Sequence, residues 1–326
     1  MKPIGQASGF DTVPDRSVHF TLGVVATMNR VPSKSVIHAT AAVAALLALG
    51  GCAKPEAQTT TDTAAKAGAT ASAPAAAATP NMVSFTAKEF SFAGPDTIPA
   101  GLTMFHLTDA GQQLHHVQLI KLQDGKTFAD YQAAVKDMKG PPPAWAVPYG
   151  GVNPPAPGAT TTAMQVVEPG NYAVVCFVEG PDHVPHMAKG MMRPLTVTPS
   201  ANANTTEPAA DVTLTLSDYT FALSKPLAAG KQMIKVENAA AQPHEVLLVQ
   251  LAPGKTIEDV GKWVFDMKGP PPGKPIGGIP AFVPGKHSFF EADLAPGDYG
   301  MICFVPDAKD GKPHVQHGMM KQFKIS

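Results

Sequence analysis

This chain of 326 residues has little charge, few aromatic residues and few cysteines. Charged residues make up 16%, the net charge is -1, and no block of like charge occurs, so a nucleic-acid-binding role is excluded. The uncharged run 36–49 is too short and too alanine-rich to span a bilayer. The 33 Pro and 29 Gly instead favour many short strands and turns over long helices.

Residues 1–51 have the pattern of an export signal. The run 36–49 follows Arg30 and Lys34, as the apolar core of a signal peptide follows its basic region. A start at Met28 would give a signal of conventional length. An ordinary secretory signal would also fit residues 1–51.

The segment after this signal indicates a lipid anchor. Leu49-Gly50-Gly51-Cys52 resembles a bacterial lipobox, which implies that Cys52 is lipidated and becomes the first mature residue. Ala53 in place of Asp resembles Gram-negative lipoproteins of the outer rather than the inner membrane, facing the periplasm. Residues 52–80, rich in Ala, Thr and Pro, predict a disordered tether because they have little to bury.

An internal repeat defines the rest of the chain. The sequence of residues 137–143, Asp-Met-Lys-Gly-Pro-Pro-Pro, is repeated identically at 266–272. Further matches between the two copies follow at constant spacing. The repeat predicts two domains at 81–199 and 211–326, with a linker at 200–210.

Each repeat alternates apolar and polar residues over short windows, as in 212–216, which is the mark of half-buried antiparallel strands. The prediction is all-β, with two tandem β-sandwiches. Thr127 to Asp130 and Thr256 to Asp259 each resemble a capping box, which predicts one short helix in each repeat, packed across an end of its sandwich.

The cysteines of the mature chain have distinct positions: Cys52 at the anchor, and Cys176 and Cys303 at matching sites of the repeats. The pair fits a metal thiolate in each repeat, a disulfide between the two domains, or two inert buried thiols. Each Cys is followed by a His and a Met, and another His stands roughly sixty residues before it. One thiolate, two imidazoles and a weak thioether form the ligand set of a blue-copper site.

On these residues each repeat resembles a cupredoxin. The matching motifs are Gly-x-Tyr-x-x-x-Cys at 170–176 and 297–303, and His-x-x-x-Gly-Met at 186–191 and 314–319. The resemblance implies a Greek-key sandwich with one copper, as Cu(I) or Cu(II), at one end of each domain. The implied ligands are His115, Cys176, His186 and Met191 in the first domain, and His244, Cys303, His314 and Met319 in the second.

The loop between Cys and the second His is longer than is typical of this family, and it contains other candidates. His183 and His317 could replace His186 and His314 as ligands. His116 has Glu245 as its counterpart and is expected at the surface.

Three functions remain in view. The first is electron transfer between periplasmic redox proteins. The second is copper sequestration or delivery, since Met187, Met191, Met192, Met319 and Met320 crowd the same loops. The third, a multicopper oxidase or copper nitrite reductase, is disfavoured because no His flanks either Cys and no His-x-His occurs, so the sequence predicts no enzyme. Cupredoxin-like domains with empty sites, serving a binding or structural role, are a further alternative.

Overall fold

The computed structural model describes residues 79–136, 141–201 and 203–326. The predicted signal peptide, the lipidated Cys52 and nearly all of the tether lie outside these residues. All the described residues belong to one unit. In the described part of the chain, no helix is both long and apolar enough to cross a membrane.

The described residues include two short 3-10 helices, His186–Lys189 and His314–His317, besides seventeen strands and two α-helices. In the first half these are β1 (Asn81–Lys88), β2 (Ser91–Ala93), β3 (Thr97–Pro99), β4 (Gly101–Asp109), β5 (Val117–Leu122), α1 (Phe128–Val135), β6 (Ala146–Val152), β7 (Thr160–Val167), β8 (Gly170–Val175) and β9 (Met192–Thr198). In the second half they are β10 (Val212–Ser217), β11 (Thr220–Leu223), β12 (Gly230–Asn238), β13 (His244–Leu251), α2 (Ile257–Asp266), β14 (Gly273–Phe282), β15 (His287–Leu294), β16 (Gly297–Ile302) and β17 (Met320–Ile325).

The strands form two sheets that face each other across one hydrophobic core. The sheet orders are β11-β10-β12-β15-β7-β4-β1-β2 and β17-β16-β13-β14-β6-β5-β8-β9-β3. Period-two burial builds this core, since Val83, Phe85 and Ala87 of β1 are buried while the residues between them are exposed. The predicted all-β sandwich architecture is confirmed.

The two halves share their sheets. Strand β15 pairs with β7, with Phe289 opposite Met164, and β14 pairs with β6, with Phe282 opposite Tyr149. One core cluster contains buried side chains from both halves. The boundaries at 81–199 and 211–326 stay a prediction.

The predicted helices are present, each with its capping box. Thr127 accepts a hydrogen bond from the Asp130 N–H, and Thr256 accepts one from the Asp259 N–H. They pack on the outer face of the nine-stranded sheet rather than across an end, so that part of the prediction is wrong. Tyr131 of α1 joins Leu122 and Val175 in a cluster separate from the main core, because alternate residues of β5 and β8 point outwards.

A close approach between neighbouring strands within each half predicts a large loss of stability on substitution. Gly151 and Gly278 have φ values of 123° and 128°, and a Cβ there would lie 2.0 Å from Val117 O and 2.1 Å from Val246 O. We expect Gly151→Ala or Gly278→Ala to lower the free energy of unfolding by at least about 3 kcal/mol.

Gly158→Ala is the matched control for this prediction. Its φ is 81°, but its Cβ would meet nothing within 4 Å, so only the backbone strain of about 1–2 kcal/mol applies. Urea denaturation of the three variants measures the difference. Equal losses of unfolding free energy in Gly151→Ala and Gly158→Ala would show that the steric clash does not contribute.

Candidate metal centres

Strand directions bring the predicted ligands of the first half to one end of the sandwich. Strand β4 ends at Asp109 and β5 begins at Val117, while β8 ends at Val175 and β9 begins at Met192. Gln118 lies opposite Val175 in the sheet. The loops 110–116 and 176–191 therefore meet at the same end, and the second half repeats this arrangement.

The structure brings His115, Cys176 and His186 together in the first half. Their potential ligand atoms all lie within 4.8 Å of one another, and the three residues are fully buried. Cys176 Sγ is 3.5 Å from His186 Nδ1, which is 3.1 Å from His115 Nδ1.

The second half forms the same group from His244, Cys303 and His314, again fully buried and within 4.8 Å. Cys303 Sγ lies 3.4 Å from His314 Nδ1 and 3.9 Å from His244 Nδ1. Both cysteines are free thiols, so the alternative of a disulfide between the domains is not realised.

Hydrogen bonds at the outer ring nitrogens of His186 and His244 determine which nitrogen faces the cysteine. His186 Nε2–H donates to Gln113 Oε1 at 3.0 Å, and His244 Nε2–H donates to Asp218 Oδ1 at 3.0 Å. Each imidazole therefore carries its proton on the outside and turns the Nδ1 lone pair towards the sulfur. A hydrogen-bond partner on the second nitrogen is the usual arrangement around histidines that bind a metal.

Burial keeps the imidazoles and the cysteine thiol neutral. Desolvation lowers the pKa of His186 and of His314 to about 4 and lowers the pKa of His115 and His244. Desolvation also raises the pKa of the Cys176 thiol to about 12. At neutral pH the imidazoles are ready to donate lone pairs, and the thiol must lose its proton to bind a metal.

The two methionines lie beside these groups. Met191 and Met319 are fully buried in the main core cluster together with the two cysteines. Met191 N–H donates to His186 O at 3.0 Å, and Cys176 N–H donates to Met191 O at 3.1 Å. Met319 has the same two bonds, with His314 and Cys303.

The alternative histidines lie apart from both groups. The His183 side chain is 46% exposed and lies 3.8 Å from Glu179, whereas His317 Nε2 contacts Asp310 at 3.2 Å. The expectation that His116 is a surface residue is wrong: it is 8% exposed, because its ring packs under Phe177.

Sequence reasoning missed the hairpin residues that cover each group. The β1–β2 turn places Glu89 and Phe90 over the first, where the Phe90 ring lies 5.1 Å from the His186 ring. The β10–β11 turn places Asp218 and Tyr219 over the second, with Tyr219 5.5 Å from His314. An acid followed by an aromatic at matching repeat positions was the available signal.

The donor set suits copper. Thiolate sulfur favours Cu(I), imidazole nitrogen suits Cu(II), and two imidazoles with one thiolate and a weak thioether form the blue-copper set. The inward lone pairs at His186 and His244 fit a cation at each centre. His115 Nε2 and His314 Nε2 are buried without a hydrogen-bond partner, and a carboxylate lies 3.7 Å from each.

The neutral histidines predict stability that depends on pH. A histidine in the unfolded chain has a pKa of about 6.5, whereas His186 and His314 in the folded protein have pKa values of about 4. Between pH 4 and 6.5 the unfolded state therefore binds more protons than the folded state. The metal-free protein should therefore lose stability as pH falls from 6.5 to 4, by up to about 1.4 kcal/mol per pH unit for each histidine.

Urea denaturation of the metal-free protein at pH 7, 5.5 and 4.5 measures this slope. His186→Gln removes one of the titrating groups and should make the slope shallower. An unchanged slope in that variant would contradict the assignment.

The two-layer sandwich with a His-Cys-His group at one end of each half defines the class: the described chain has a cupredoxin-like fold. Solved structures similar to it include reduced auracyanin from Roseiflexus castenholzii, at 19% identity over 37% of this chain and 100% of auracyanin, with a TM-score of 0.26. A blue copper oxidase from Nitrosomonas europaea is similar at 16% identity over 76% of this chain and 86% of the oxidase, with a TM-score of 0.23.

A copper-containing nitrite reductase from Thermus scotoductus is similar at 11% identity over 75% of this chain and 61% of the reductase, with a TM-score of 0.21. No protein-family model and no curated protein sequence matches the chain. Oxidases and nitrite reductases are enzymes, so the expectation that this protein is not an enzyme is contradicted. The physical reason is that one fold carries both electron carriers and enzymes, so a missing local motif does not exclude catalysis.

Proposed function

We propose that the protein is an exported copper protein that transfers electrons, with one mononuclear type 1-like site in each half. The observation that supports this is the convergence, twice, of two Nδ1 atoms and a cysteine sulfur in a buried group. The proposed ligands are His115, Cys176, His186 and Met191 in the first half, and His244, Cys303, His314 and Met319 in the second.

Bound copper would supply the Cu(I)/Cu(II) couple. The chain's own part is to hold the donors in place. Loop 176–191 is pinned by backbone bonds from His186 N–H to Val178 O at 2.9 Å and from Met187 N–H to Cys176 O at 2.8 Å. Donors fixed in this way move little when the metal changes oxidation state, which favours fast electron transfer.

Electrons would be exchanged with periplasmic redox proteins. No ligand histidine is exposed, so contact with such a partner would run over the covering residues: Phe90 and Lys189 in the first half, Tyr219 and His317 in the second. The export signal and Cys52 support attachment by lipid to the periplasmic side of a bacterial membrane, the outer membrane in view of Ala53.

Copper sequestration or delivery would need thioethers at the surface. Met187, Met191 and Met319 are instead buried, and the half-buried Met192 and Met320 pack against the outer clusters beneath α1 and α2. Their burial favours electron transfer over delivery.

The decisive experiment adds copper to the full chain carrying Cys52→Ala. Electron transfer predicts two coppers per chain and an intense visible thiolate-to-copper absorption that a reductant bleaches and an oxidant restores. Cys176→Ala and Cys303→Ala should each remove one copper and its share of the absorption, and the double variant should remove all of it. Tight Cu(I) binding without colour would indicate sequestration, and no binding would indicate empty sites.

A further inference from the structure

A hairpin tip covers each proposed metal centre. The β1–β2 tip carries Phe90 and the β10–β11 tip carries Tyr219, and their rings lie 5.1 Å and 5.5 Å from the rings of His186 and His314. The ligand histidines and both cysteines are 0% exposed. A metal ion or any other reagent can therefore reach a cysteine sulfur only while the structure around that sulfur is open.

The tip over the second centre is hydrogen-bonded on two sides. On one side, Asp218 Oδ1 accepts from the His244 Nε2–H at 3.0 Å, at the beginning of β13. On the other side, the Tyr219 hydroxyl donates to Asp307 Oδ2 at 2.6 Å. Asp307 is 1% exposed and lies in the loop 303–319, which contains the other proposed ligands of this half. These two bonds tie the tip to both segments that carry ligands.

The tip over the first centre differs on the side of the cysteine. Glu89 Oε1 accepts from the Gln113 N–H at 3.0 Å, which ties this tip to the loop before β5. Phe90, however, has no hydroxyl group, and Gly180 stands where the second half has the accepting carboxylate. Within the described residues, no hydrogen bond joins this tip to the loop 176–191. The contact on that side is ring packing.

The backbone of the second tip also needs the hydroxyl bond. Tyr219 has a φ of 64°, a left-handed conformation that bulky residues rarely adopt, whereas Phe90 has no positive φ. Opening the tip would relieve this strain, so the bond to Asp307 opposes opening. Asp307 is held independently of the tip, because it also accepts from Gln242 Nε2 at 2.9 Å and from the Lys309 N–H at 2.8 Å. The acceptor therefore stays in place if the hydroxyl is removed.

We propose that Tyr219 latches the second centre, so that the first centre opens more often and takes up its metal ion sooner. This inference rests on the proposed function. The step is a local opening of the hairpin tip, in which the Tyr219–Asp307 hydrogen bond breaks and no covalent bond changes. At the second centre the entry of a cation waits for that bond to break, whereas at the first centre the Phe90 ring has only to move aside.

The test measures the reaction of the two buried thiols with iodoacetamide in the metal-free full chain carrying Cys52→Ala. Adding Cys303→Ala or Cys176→Ala leaves one thiol to be followed by mass spectrometry. When reclosing is fast, the rate reports the fraction of time that the thiol is open. Each rate is divided by the rate of the same thiol in the urea-unfolded chain. We expect the ratio for Cys176 to exceed that for Cys303.

Tyr219→Phe removes the latch and keeps the ring. It should raise the reaction rate of Cys303 about tenfold, as expected for the loss of one hydrogen bond to a carboxylate, and leave the rate of Cys176 unchanged. Tyr299→Phe is the matched control, because the Tyr299 hydroxyl is in the same half and donates to Ala295 O at 2.9 Å, but takes no part in the hairpin tip. This control should leave the rate of Cys303 close to that of the native chain.

Copper uptake supplies a second measurement. After copper is added to the metal-free chain, the absorption of the first half should appear before that of the second, as followed in the Cys303→Ala and Cys176→Ala backgrounds. Tyr219→Phe should speed the appearance of the second absorption and leave the first unchanged.

The outcomes separate the latch from the proposed function. The latch is overturned if Cys303 reacts as fast as Cys176 in the native chain, or if Tyr219→Phe and Tyr299→Phe speed the reaction of Cys303 equally, since opening would then be global. Failure of the proposed function shows itself differently, as a chain that binds no copper at any rate. The thiol rates need no metal, so they test the latch on their own.

Discussion

His186→Ala should abolish the thiolate-to-copper absorption of the first half, whereas His183→Ala should leave it intact. His186 Nδ1 lies 3.5 Å from Cys176 Sγ and the residue is fully buried. The His183 side chain is 46% exposed, and its backbone has a φ of 56° in a turn that directs it to Glu179. Loss of one of two imidazoles from a buried copper centre removes the blue-copper donor set outright.

The second half supplies an independent copy of this comparison. His314→Ala should abolish the absorption of that half, and His317→Ala should preserve it, because His317 contacts Asp310 instead of the cysteine. Copper titration followed by visible absorption, in a background where the other half carries its Cys→Ala substitution, measures each half separately. Equal losses for the two histidines of a pair would show that the ligand assignment is wrong.

Local signals were sufficient to predict most of the fold. Alternation of apolar residues, as in 212–216, predicted strands of the correct period, and Thr127 and Thr256 marked the beginnings of both helices. These signals succeed because alternation and capping act within a few residues of chain. The grouping of His, Cys and His was predictable for a different reason: the same residue types recur in the same order in both repeats.

The rest depends on contacts between residues distant in sequence. Glu89 and Asp218 reach the centres only because a hairpin tip meets a loop about twenty-five residues further on, as in the 3.0 Å bond from His244 to Asp218. Similarly, the unlike residues His116 and Glu245 at matching repeat positions suggested a surface site, but both are buried and accept hydrogen bonds from the Phe177 and Phe304 N–H groups. The shared sheets arise from the pairing of β7 with β15, which neither repeat encodes alone.

Asp109 holds the loop that carries His115, and its removal should cost both stability and copper affinity in the first half. The side chain is fully buried, and it accepts hydrogen bonds from the Gly111 N–H at 3.0 Å and from the His115 N–H at 3.2 Å. Asp109→Ala would leave two buried N–H groups without a partner, at about 1–3 kcal/mol each. The freed loop would also no longer hold His115 against the sulfur.

Asp109→Asn is the conservative control, because the second half already uses Asn238 at the matching position. There Asn238 Oδ1 accepts from the Ala240 N–H at 3.0 Å, and its Nδ2 donates to Gln242 O and Phe282 O. Asparagine at 109 can accept from the Gly111 N–H but turns a donor NH2 towards the His115 N–H, so it should recover only part of the unfolding free energy and of the copper affinity that alanine loses. Urea denaturation and copper titration of both variants measure the two quantities. If asparagine at 109 restores both quantities fully, Asp109 fills space and its hydrogen bond from the His115 N–H does not position the ligand.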